Sequence, residues 1–179
     1  MAYWWVNHKQ TYISEIEGGY IWSPKKNTNG SRNQTYINLT LVSPGDYVFS
    51  YAGGLIKAVG VVSSIYREQS KPSDFGKVGK AWSYDGWVVP IDWELLTSPI
   101  KPKDRLTDIA PLMPSKHSPL QKNGNGNQGC YLAHISDELG ELLISIVEPM
   151  SLFALEEDKA EIEVRLLIRD VQNLNIEST

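Results

Sequence analysis

The sequence predicts a mixed α/β (α+β) domain, a β-barrel wrapped by short helices. Three observations favour this fold class. Aromatic and β-branched residues form short runs of strand length, glycine- or proline-containing polar stretches separate the runs, and helical patterns between them are brief. With 179 residues, of which 41% are hydrophobic, the chain is long enough for one well-buried core and a short appendage.

The N-terminal half alternates strand-like and helix-like patterns. Tyr3–Val6 is aromatic and predicts an opening strand. Thr11 is placed to cap a helix over Tyr12–Ile16, which the Gly18-Gly19 pair ends. The elements predicted next are a strand at Tyr20–Trp22, a polar loop at Ser23–Arg32, a helix at Asn33–Thr40, a turn at Ser43–Asp46, and strands at Tyr47–Tyr51 and Leu55–Tyr66 joined in a hairpin across Ala52-Gly53-Gly54.

The C-terminal half contains longer loops and the longer helical patterns. The elements predicted there are a loop at Arg67–Lys80, a strand at Trp87–Trp93 in which Pro90 indicates an edge or a bulge, a short helix near Arg105–Ile109, a loop at Asn123–Asn127, a helix capped by Ser136 with Leu139, Leu142, Leu143 and Ile146 on one face, and a charged helix at Glu156–Val171.

Composition excludes several classes of protein. No apolar run approaches the roughly 18 residues that a membrane helix needs. The first ten residues lack the apolar centre of a secretory signal, and the single Cys130 cannot form an internal disulfide. We therefore expect a cytoplasmic protein without a membrane partner.

Charge is distributed unevenly along the chain. The net charge is −4, which is not typical of a nucleic-acid-binding protein. Residues 1–80, however, contain nine Lys/Arg and five Asp/Glu, whereas residues 81–179 contain eight and sixteen. The N-terminal half could therefore present a local basic face, although chance unevenness explains the counts equally well.

Signatures of catalysis are missing from the sequence. It contains no Gly-x-Ser-x-Gly elbow and no P-loop, since Gly79-Lys80 is followed by Ala81. Cys130 and His134 supply only two metal ligands, and a buried thiol beside a surface imidazole is the simpler interpretation. We expect no catalytic site, no metal and no cofactor in this chain.

Aromatic residues are the strongest indication of a binding site. Trp22 adjoins a polar loop that contains Lys25 and Lys26, and Trp82 stands in a second polar segment. Such rings can stack on a flat base beside phosphate contacts. The remaining tryptophans lie in predicted strands, where core packing is expected: Trp4, Trp5, Trp87 and Trp93.

An ordered set of motifs resembles the EVE domains, which are relatives of the YTH and PUA folds. The motifs are Tyr3-Trp4-Trp5-Val6-Asn7, Gly19-Tyr20-Ile21-Trp22-Ser23-Pro24, Pro44-Gly45-Asp46-Tyr47-Val48-Phe49-Ser50-Tyr51, Ala58-Val59-Gly60-Val61-Val62, Gly86-Trp87-Val88-Val89-Pro90-Ile91 and Asn127-Gln128-Gly129-Cys130-Tyr131-Leu132. Each is weakly specific, but together they span most of residues 3–150. The resemblance implies a PUA-like fold.

The N-terminal domain of EVE–HNH endonucleases is the closer resemblance. These modification-dependent enzymes cut DNA that contains 5-methyl- or 5-hydroxymethylcytosine. The resemblance implies an EVE modified-base-binding domain at residues 1–152, and a helix and linker at 153–179 that leads to an HNH nuclease domain. The sequence has no His-Asn-His pattern, because its only histidines are His8, His117 and His134. We therefore expect a chain that binds modified double-stranded DNA without cutting it.

The resemblance also implies a mode of binding and a set of residues. Flipping the base out of the duplex costs a few kcal/mol, and stacking on aromatic faces recovers about 1–3 kcal/mol each. In YTH domains the tryptophan of a Trp-Ser pair forms one wall of the cage, which matches Trp22-Ser23. Trp82 is the preferred counterpart of the second wall, with Trp87 as the alternative. The other candidates are Asn7, Gln10, Thr11, Tyr51 and Gln128 for the base, and Lys9, Lys25, Lys26 and Arg32 for phosphates.

Two other functions remain open at this stage. The chain could bind a modified base in single-stranded RNA, as YTH domains do. It could instead bind a small molecule or a protein in the same pocket, which the acidic net charge favours somewhat. A nuclease-free natural protein is a further possibility.

Overall fold

The computed structural model describes residues 1–147, Val164 and Leu167. The strands are β1 (Tyr3–Asn7), β2 (Tyr20–Pro24), β3 (Tyr47–Ala52), β4 (Leu55–Val62), β5 (Arg67–Ser70), β6 (Asp85–Ile100) and β7 (Leu132–Ile135). The α-helices are α1 (Tyr12–Gly18), α2 (Gln34–Ile37), α3 (Leu106–Ile109) and α4 (137–147). Short 3-10 helices lie at Asn38–Thr40, Ser73–Phe75, Pro102–Arg105 and Ala110–Leu112.

All seven strands belong to one mixed sheet. Its order is β2-β6-β4-β3-β1-β7, and β5 pairs with β6 beside this path. The β1–β3 pair is parallel and the other pairs are antiparallel. The predicted class, a mixed fold with a curled barrel-like sheet and short helices, is confirmed.

The long strand β6 pairs with three other strands, β2, β5 and β4. Its first residues pair with β2 and β5, and from Ile91 onward it pairs with β4. Pro90 lies between the end of the β5 pairing at Val88 and the start of the β4 pairing. A residue without an N–H is tolerated at such a transition, which agrees with the predicted irregularity.

Side chains close the interval between the two end strands, β2 and β7. The hydroxyl of Tyr131, one residue before β7, accepts a hydrogen bond from the Trp22 backbone N–H on β2 at 3.1 Å. Asn38 donates its amide to the Leu132 carbonyl on β7 at 2.9 Å. These bonds satisfy backbone groups that edge strands would otherwise leave unpaired.

Two clusters of buried apolar side chains lie in the interior, beside further buried residues such as Trp5, Phe49 and Ile56. The larger contains Trp4, Val6, Ile21, Leu39, Val42, Val48, Val62, Val89, Ile91 and Leu132. The smaller contains Trp22, Phe75 and Val88, with Trp82 packed against it. The expected core role of Trp4 and Trp5 is confirmed, since both are buried, and Trp87 and Trp93 pack against the larger cluster.

Two turns form as their glycines predict. Gly53 and Gly54 both have positive φ, 62° and 84°, which gives the β3–β4 hairpin its type I′ turn. At the Ser43–Asp46 turn, Gly45 has φ 91° and the Asp46 N–H donates to the Ser43 carbonyl at 3.1 Å. The predicted hairpin therefore forms, with Ala52 paired to Leu55 and a shift of register between Ser50 and Tyr51.

Several predicted elements differ in the structure. The predicted loop Arg67–Lys80 contains β5 and a 3-10 helix, and the strand predicted to reach Tyr66 ends at Val62. Thr11 precedes α1, but its side chain makes no cap hydrogen bond. Instead of accepting from a backbone N–H of the first turn, the Thr11 hydroxyl donates to the Glu15 carboxylate at 2.9 Å. A hydrogen bond to a charged carboxylate is stronger than one between neutral groups. Ser136 does accept from the Leu139 N–H at 3.1 Å and caps α4 as predicted.

The described residues fall mostly within one unit. Contacts divide the chain into Met1–Glu141, which contains the whole sheet, and Leu142–Thr179. Most of the predicted helix Glu156–Val171 and of the predicted linker 153–179 lies outside the described residues; Val164 and Leu167 are helical. No helix in the described part is both long and apolar enough to cross a membrane.

Candidate functional site

A cavity of about 890 Å³ opens beside the interval between β2 and β7. Four segments form most of its wall: residues 7–11 after β1, 22–24 at the end of β2, 51–55 around the β3–β4 turn, and 124–131 before β7. Three lysines line it, at positions 9, 101 and 103, and no Asp or Glu does. The cavity is therefore electropositive in a chain whose net charge is −4.

The structure brings most of the predicted site residues to this cavity. All eight predicted base contacts line it: Asn7, Gln10, Thr11, Trp22, Ser23, Tyr51, Trp82 and Gln128. Lys9 is the one predicted phosphate contact that does so. Lys25, Lys26 and Arg32 do not, and Lys25 forms an ion pair with Glu68 at 2.6 Å.

Trp22 and Trp82 face the same region of the cavity. Their ring centroids lie 6.4 Å apart, with 31° between the ring planes. Phe75 makes edge contacts with both rings, at 5.7 Å from Trp22 and 6.4 Å from Trp82. The three rings therefore form one contacting aromatic group at the cavity. A base stacked between two parallel rings needs about 7 Å between their planes, twice the carbon–carbon contact distance of about 3.5 Å.

The two rings differ in exposure. Trp22 lies in β2 rather than at a loop rim as predicted, because the strand continues to Pro24, and only 1% of it is exposed. Its ring lies on Gly86, where a Cβ would approach within 2.2 Å, and its Nε1 donates to the Gln69 carbonyl at 2.9 Å. Trp82 lies outside the strands and is half-buried, and its ring lies on Gly79, where a Cβ would approach within 2.0 Å. Trp82 is thus the more accessible of the two rings.

Trp87, the alternative second wall, does not line the cavity. It pairs with Ser23 across the β2–β6 ladder and packs partly against the larger core cluster. The Lys25 ammonium lies 5.8 Å from the centre of its ring. Of the two candidates, only Trp82 is therefore in position to contact a ligand in the cavity.

Some polar side chains in the wall already form hydrogen bonds within the fold, whereas Ser23 has no partner among the described residues. Asn7 donates to the Pro119 carbonyl at 2.9 Å and accepts from the Trp5 indole at 2.8 Å. Together with Thr11, which bonds Glu15, it shapes the wall. Ser23 is buried, and its hydroxyl has no hydrogen-bond partner. Since an unpaired buried hydroxyl is costly, Ser23 Oγ is a group for which a ligand in the cavity would supply a partner.

Tyr51 forms part of the cavity wall and packs against the loop at Asn123–Asn127. It is buried, and its ring lies 5.3 Å from that of Trp5 with 40° between the planes. Gly126 fits closely against it, because a Cβ there would lie 3.1 Å from the Tyr51 ring. Burial raises the pKa of Tyr51, so the hydroxyl stays protonated and able to donate a hydrogen bond.

A buried polar network supports the cavity wall, and sequence reasoning missed it. Glu15 on α1 is fully buried and accepts from Tyr131 Oη, at 2.7 and 2.8 Å to its two oxygens, and from Thr11. Its Oε2 lies 2.8 Å from His8 Nδ1, and His8 Nε2 lies 2.6 Å from Ser50 Oγ. Burial first, and then Glu15, raise the pKa of Tyr131 well above its usual value.

Lys101 and Lys103 also line the cavity, and they were not among the predicted residues. They flank Pro102 at the start of a 3-10 helix that follows β6. The sequence distance to the other wall segments is large, so only the folded chain shows that they meet. Within the described residues, no group of three or more His, Cys, Asp or Glu could hold a metal ion.

Comparison with known proteins shows the fold. The sequence matches no protein-family model and no curated protein. Among solved structures, the Pho92 YTH domain in complex with m6A has a TM-score of 0.55 at 11% identity, covering 82% of each chain. The YTH domain of Zygosaccharomyces rouxii MRB1, in complex with N6-methyladenosine RNA, has 0.54 at 13%, covering 82% of this chain and 86% of that one.

This chain has a YTH-like fold. A further similar structure is the N-terminal domain of McrB from Staphylothermus marinus. It has a TM-score of 0.50 at 18% identity, covering 80% of this chain and 93% of that domain. The implied relationship to the YTH fold is therefore supported by the three-dimensional structure, at identities too low to transfer a ligand.

Proposed function

We propose that this chain binds modified nucleic acid by receiving one flipped base in the cavity between Trp22 and Trp82. The observation that carries the proposal is Ser23: this residue and both tryptophans line a cavity of about 890 Å³, and its buried hydroxyl has no hydrogen-bond partner among the described residues. Aromatic faces offer stacking to any base, and unpaired polar groups can select its edge. Two structures of the same fold, the YTH domains above, contain m6A or N6-methyladenosine RNA.

Charge supports a polyanionic partner. The cavity wall carries Lys9, Lys101 and Lys103 and no carboxylate. Among the described residues, the side chains that line the cavity thus carry positive charge only, although the net charge of the chain is −4. Nucleic acid is attracted by such a local positive field even when the whole protein is acidic.

The finer proposal is modified cytosine in duplex DNA, as the reader domain of an EVE–HNH endonuclease. This choice rests on the sequence resemblance. It assigns base contacts to Trp22, Ser23 and Trp82, with Gln10, Tyr51 and Gln128 at the base edge. Gln10 and Gln128 are exposed, and neither side chain has a partner among the described residues. A nuclease domain following residue 179 would be the covalent partner.

Modified RNA is the second candidate, favoured by the two YTH structures that contain m6A or N6-methyladenosine RNA. The pocket walls do not distinguish the sugars. Binding to single-stranded RNA with N6-methyladenosine, tighter than to any duplex, would promote this candidate over DNA.

The test is fluorescence anisotropy with labelled duplexes that carry C, 5-methylcytosine or 5-hydroxymethylcytosine at one position. Single-stranded RNA with adenosine or N6-methyladenosine is titrated in parallel. We expect tighter binding to a modified duplex, reduced at least about fivefold in Trp82→Ala, since stacking on one ring contributes about 1–3 kcal/mol. Tyr84→Ala is the matched control, because Tyr84 is exposed in the same segment and does not line the cavity. Equal affinity for all duplexes and both RNAs would refute a modified-base reader.

A further inference from the structure

The cavity opening offers groups for the nucleic-acid backbone as well as for a base. Lys101 and Lys103 are exposed and both line the cavity. They project from a short segment in which Pro102 is buried and begins a 3-10 helix. The lysine stem is also held in place: Gly124 lies so close to Lys103 that a Cβ there would come within 2.9 Å of Lys103 Cγ.

A second group of anion-binding atoms lies in the same wall. The turn at 127–130 is closed by a hydrogen bond from the Cys130 N–H to the Asn127 carbonyl at 3.1 Å. The N–H groups of its central residues, Gln128 and Gly129, make no hydrogen bond within the described part of the chain. Both residues are exposed, and a Cβ at Gly129 would meet nothing within 4 Å. Successive free N–H groups in a turn form a common anion-binding concavity.

The basic residues on the β2 side are less suited to this role. Lys25 is already paired with Glu68 at 2.6 Å, and Arg32 donates to the Gln34 side chain at 3.1 Å. Neither residue, nor Lys26, lines the cavity. The 101–103 segment and the 127–130 turn, by contrast, line the same cavity as the tryptophan pair.

We propose that Lys101 and Lys103, together with the N–H groups of Gln128 and Gly129, bind the phosphates that flank the flipped nucleotide. The inference rests on the proposed function, because it places the sugar–phosphate backbone over this part of the opening. Phosphate contacts fix the register of the strand, and base contacts in the cavity then select the modification. Lys9, on the β1 side of the opening, supplies a further cation.

The test measures the salt dependence of binding to an unmodified duplex and to its 5-methylcytosine counterpart, from about 50 to 300 mM KCl. Each duplex phosphate that a lysine neutralises contributes about 0.9 to the slope of log K against log salt. Lys101→Gln/Lys103→Gln is expected to reduce that slope by about one to two units and to weaken binding of both duplexes at least about tenfold at low salt.

Two matched double variants remove the same charge elsewhere. Lys77→Gln/Lys116→Gln changes exposed residues outside the cavity, and Lys26→Gln/Arg32→Gln changes the competing surface. Both control variants are expected to retain most of the slope of log K against log salt that the unsubstituted chain shows. Far-ultraviolet circular dichroism checks that each variant is folded. Because the substituted residues are exposed, we expect all variants to fold.

The outcomes separate this inference from the proposed function. A slope that falls with Lys26→Gln/Arg32→Gln, and not with Lys101→Gln/Lys103→Gln, overturns the inference whatever happens to base selection. If Lys101→Gln/Lys103→Gln reduces the slope while the unsubstituted chain binds both duplexes equally, the phosphate site is upheld and the 5-methylcytosine reader is refuted. If Trp82→Ala loses the preference for the modified duplex, and Lys101→Gln/Lys103→Gln leaves the salt slope unchanged, the modified-base reader is upheld and the phosphate site is refuted. Absence of any nucleic-acid binding overturns both.

Discussion

His8 Nδ1 lies 2.8 Å from Glu15 Oε2 inside the fold, with both side chains inaccessible to solvent. Ser50 Oγ, 2.6 Å from the other ring nitrogen, completes the order of groups found in hydrolase triads. Ser50 is fully buried and does not line the cavity, so no substrate reaches it. The three groups instead fix the end of β1 against α1 and β3, and so hold one wall of the cavity.

The first prediction concerns Glu15. An ionised carboxylate only accepts hydrogen bonds, and Glu15 receives them from Thr11 and Tyr131 while facing His8 Nδ1. Glu15→Gln places an amide NH₂ against one of these groups, and we expect it to lower the free energy of unfolding by about 2–4 kcal/mol. Urea denaturation followed by tryptophan fluorescence measures this change.

Glu17→Gln is the matched control for Glu15. Glu17 lies on the same helix, is exposed, and has no hydrogen bond among the described residues. Its substitution is expected to change stability by less than about 0.5 kcal/mol. Equal effects of the two substitutions would show that the buried network adds nothing to stability.

The second prediction compares the contributions of Trp22 and Trp82 to stability. Trp22→Ala removes a ring that is 1% exposed and packed on Gly86, and it should cost about 3–5 kcal/mol of stability. Trp82→Ala removes a half-buried ring outside the strands and should cost clearly less, about 1–2 kcal/mol. Thermal unfolding of the two variants measures the difference. Similar losses would show that Trp82 is packed in the core as firmly as Trp22.

Much of the site followed from local sequence because its residues adjoin strand ends. The strands are short aromatic runs with clear turns between them, and the Gly53-Gly54 pair fixes one hairpin. Residues directly after β1 and at the end of β2 therefore meet at the same cavity. The Trp-Ser pair at Trp22-Ser23 was found through its resemblance to a known motif rather than through any periodicity.

Other features depend on contacts that local sequence does not encode. Glu15 and Glu17 are indistinguishable as members of a seven-residue helix, and only the fold buries the first. Strand β5, Arg67–Ser70, is exposed at every position, so it has no alternation of polar and apolar residues to predict it. Lys103 reaches the cavity across a proline-rich connection, through its contact with Gly124.

The third prediction concerns Asp46. Burial acts to raise its pKa, but hydrogen bonds outweigh this and hold the pKa below its usual value. The donors are the Ala2 N–H at 2.8 Å, the Ser43 N–H at 2.9 Å and the Trp4 indole at 2.9 Å. Because the folded pKa is lowered, the stability that Asp46 contributes is present above the unfolded pKa of about 3.9 and is lost as the pH falls through the folded pKa.

Asp46→Asn is therefore expected to lower stability at pH 7 by about 1–3 kcal/mol. The difference from the unsubstituted chain should shrink as the pH falls below about 4, since the unfolded chain is then protonated at Asp46 while the folded chain takes up this proton only at its own lower pKa. Urea denaturation at pH 7, 5 and 3 measures this trend. Asp104→Asn, at an exposed position without a side-chain hydrogen bond among the described residues, serves as the control. A difference that does not vary with pH would contradict the electrostatic origin.

The fourth prediction uses Cys130, the single cysteine of the chain. It lines the cavity but is only 5% exposed, and burial raises the pKa of its thiol to about 12. Since the thiolate is the reactive form, we expect Ellman's reagent at pH 8 to modify the folded chain at least about 100-fold more slowly than the chain in urea. Nucleic acid bound in the cavity should slow the reaction further. Reaction of the folded chain at the rate seen in urea would contradict the burial of the Cys130 thiol in the cavity wall.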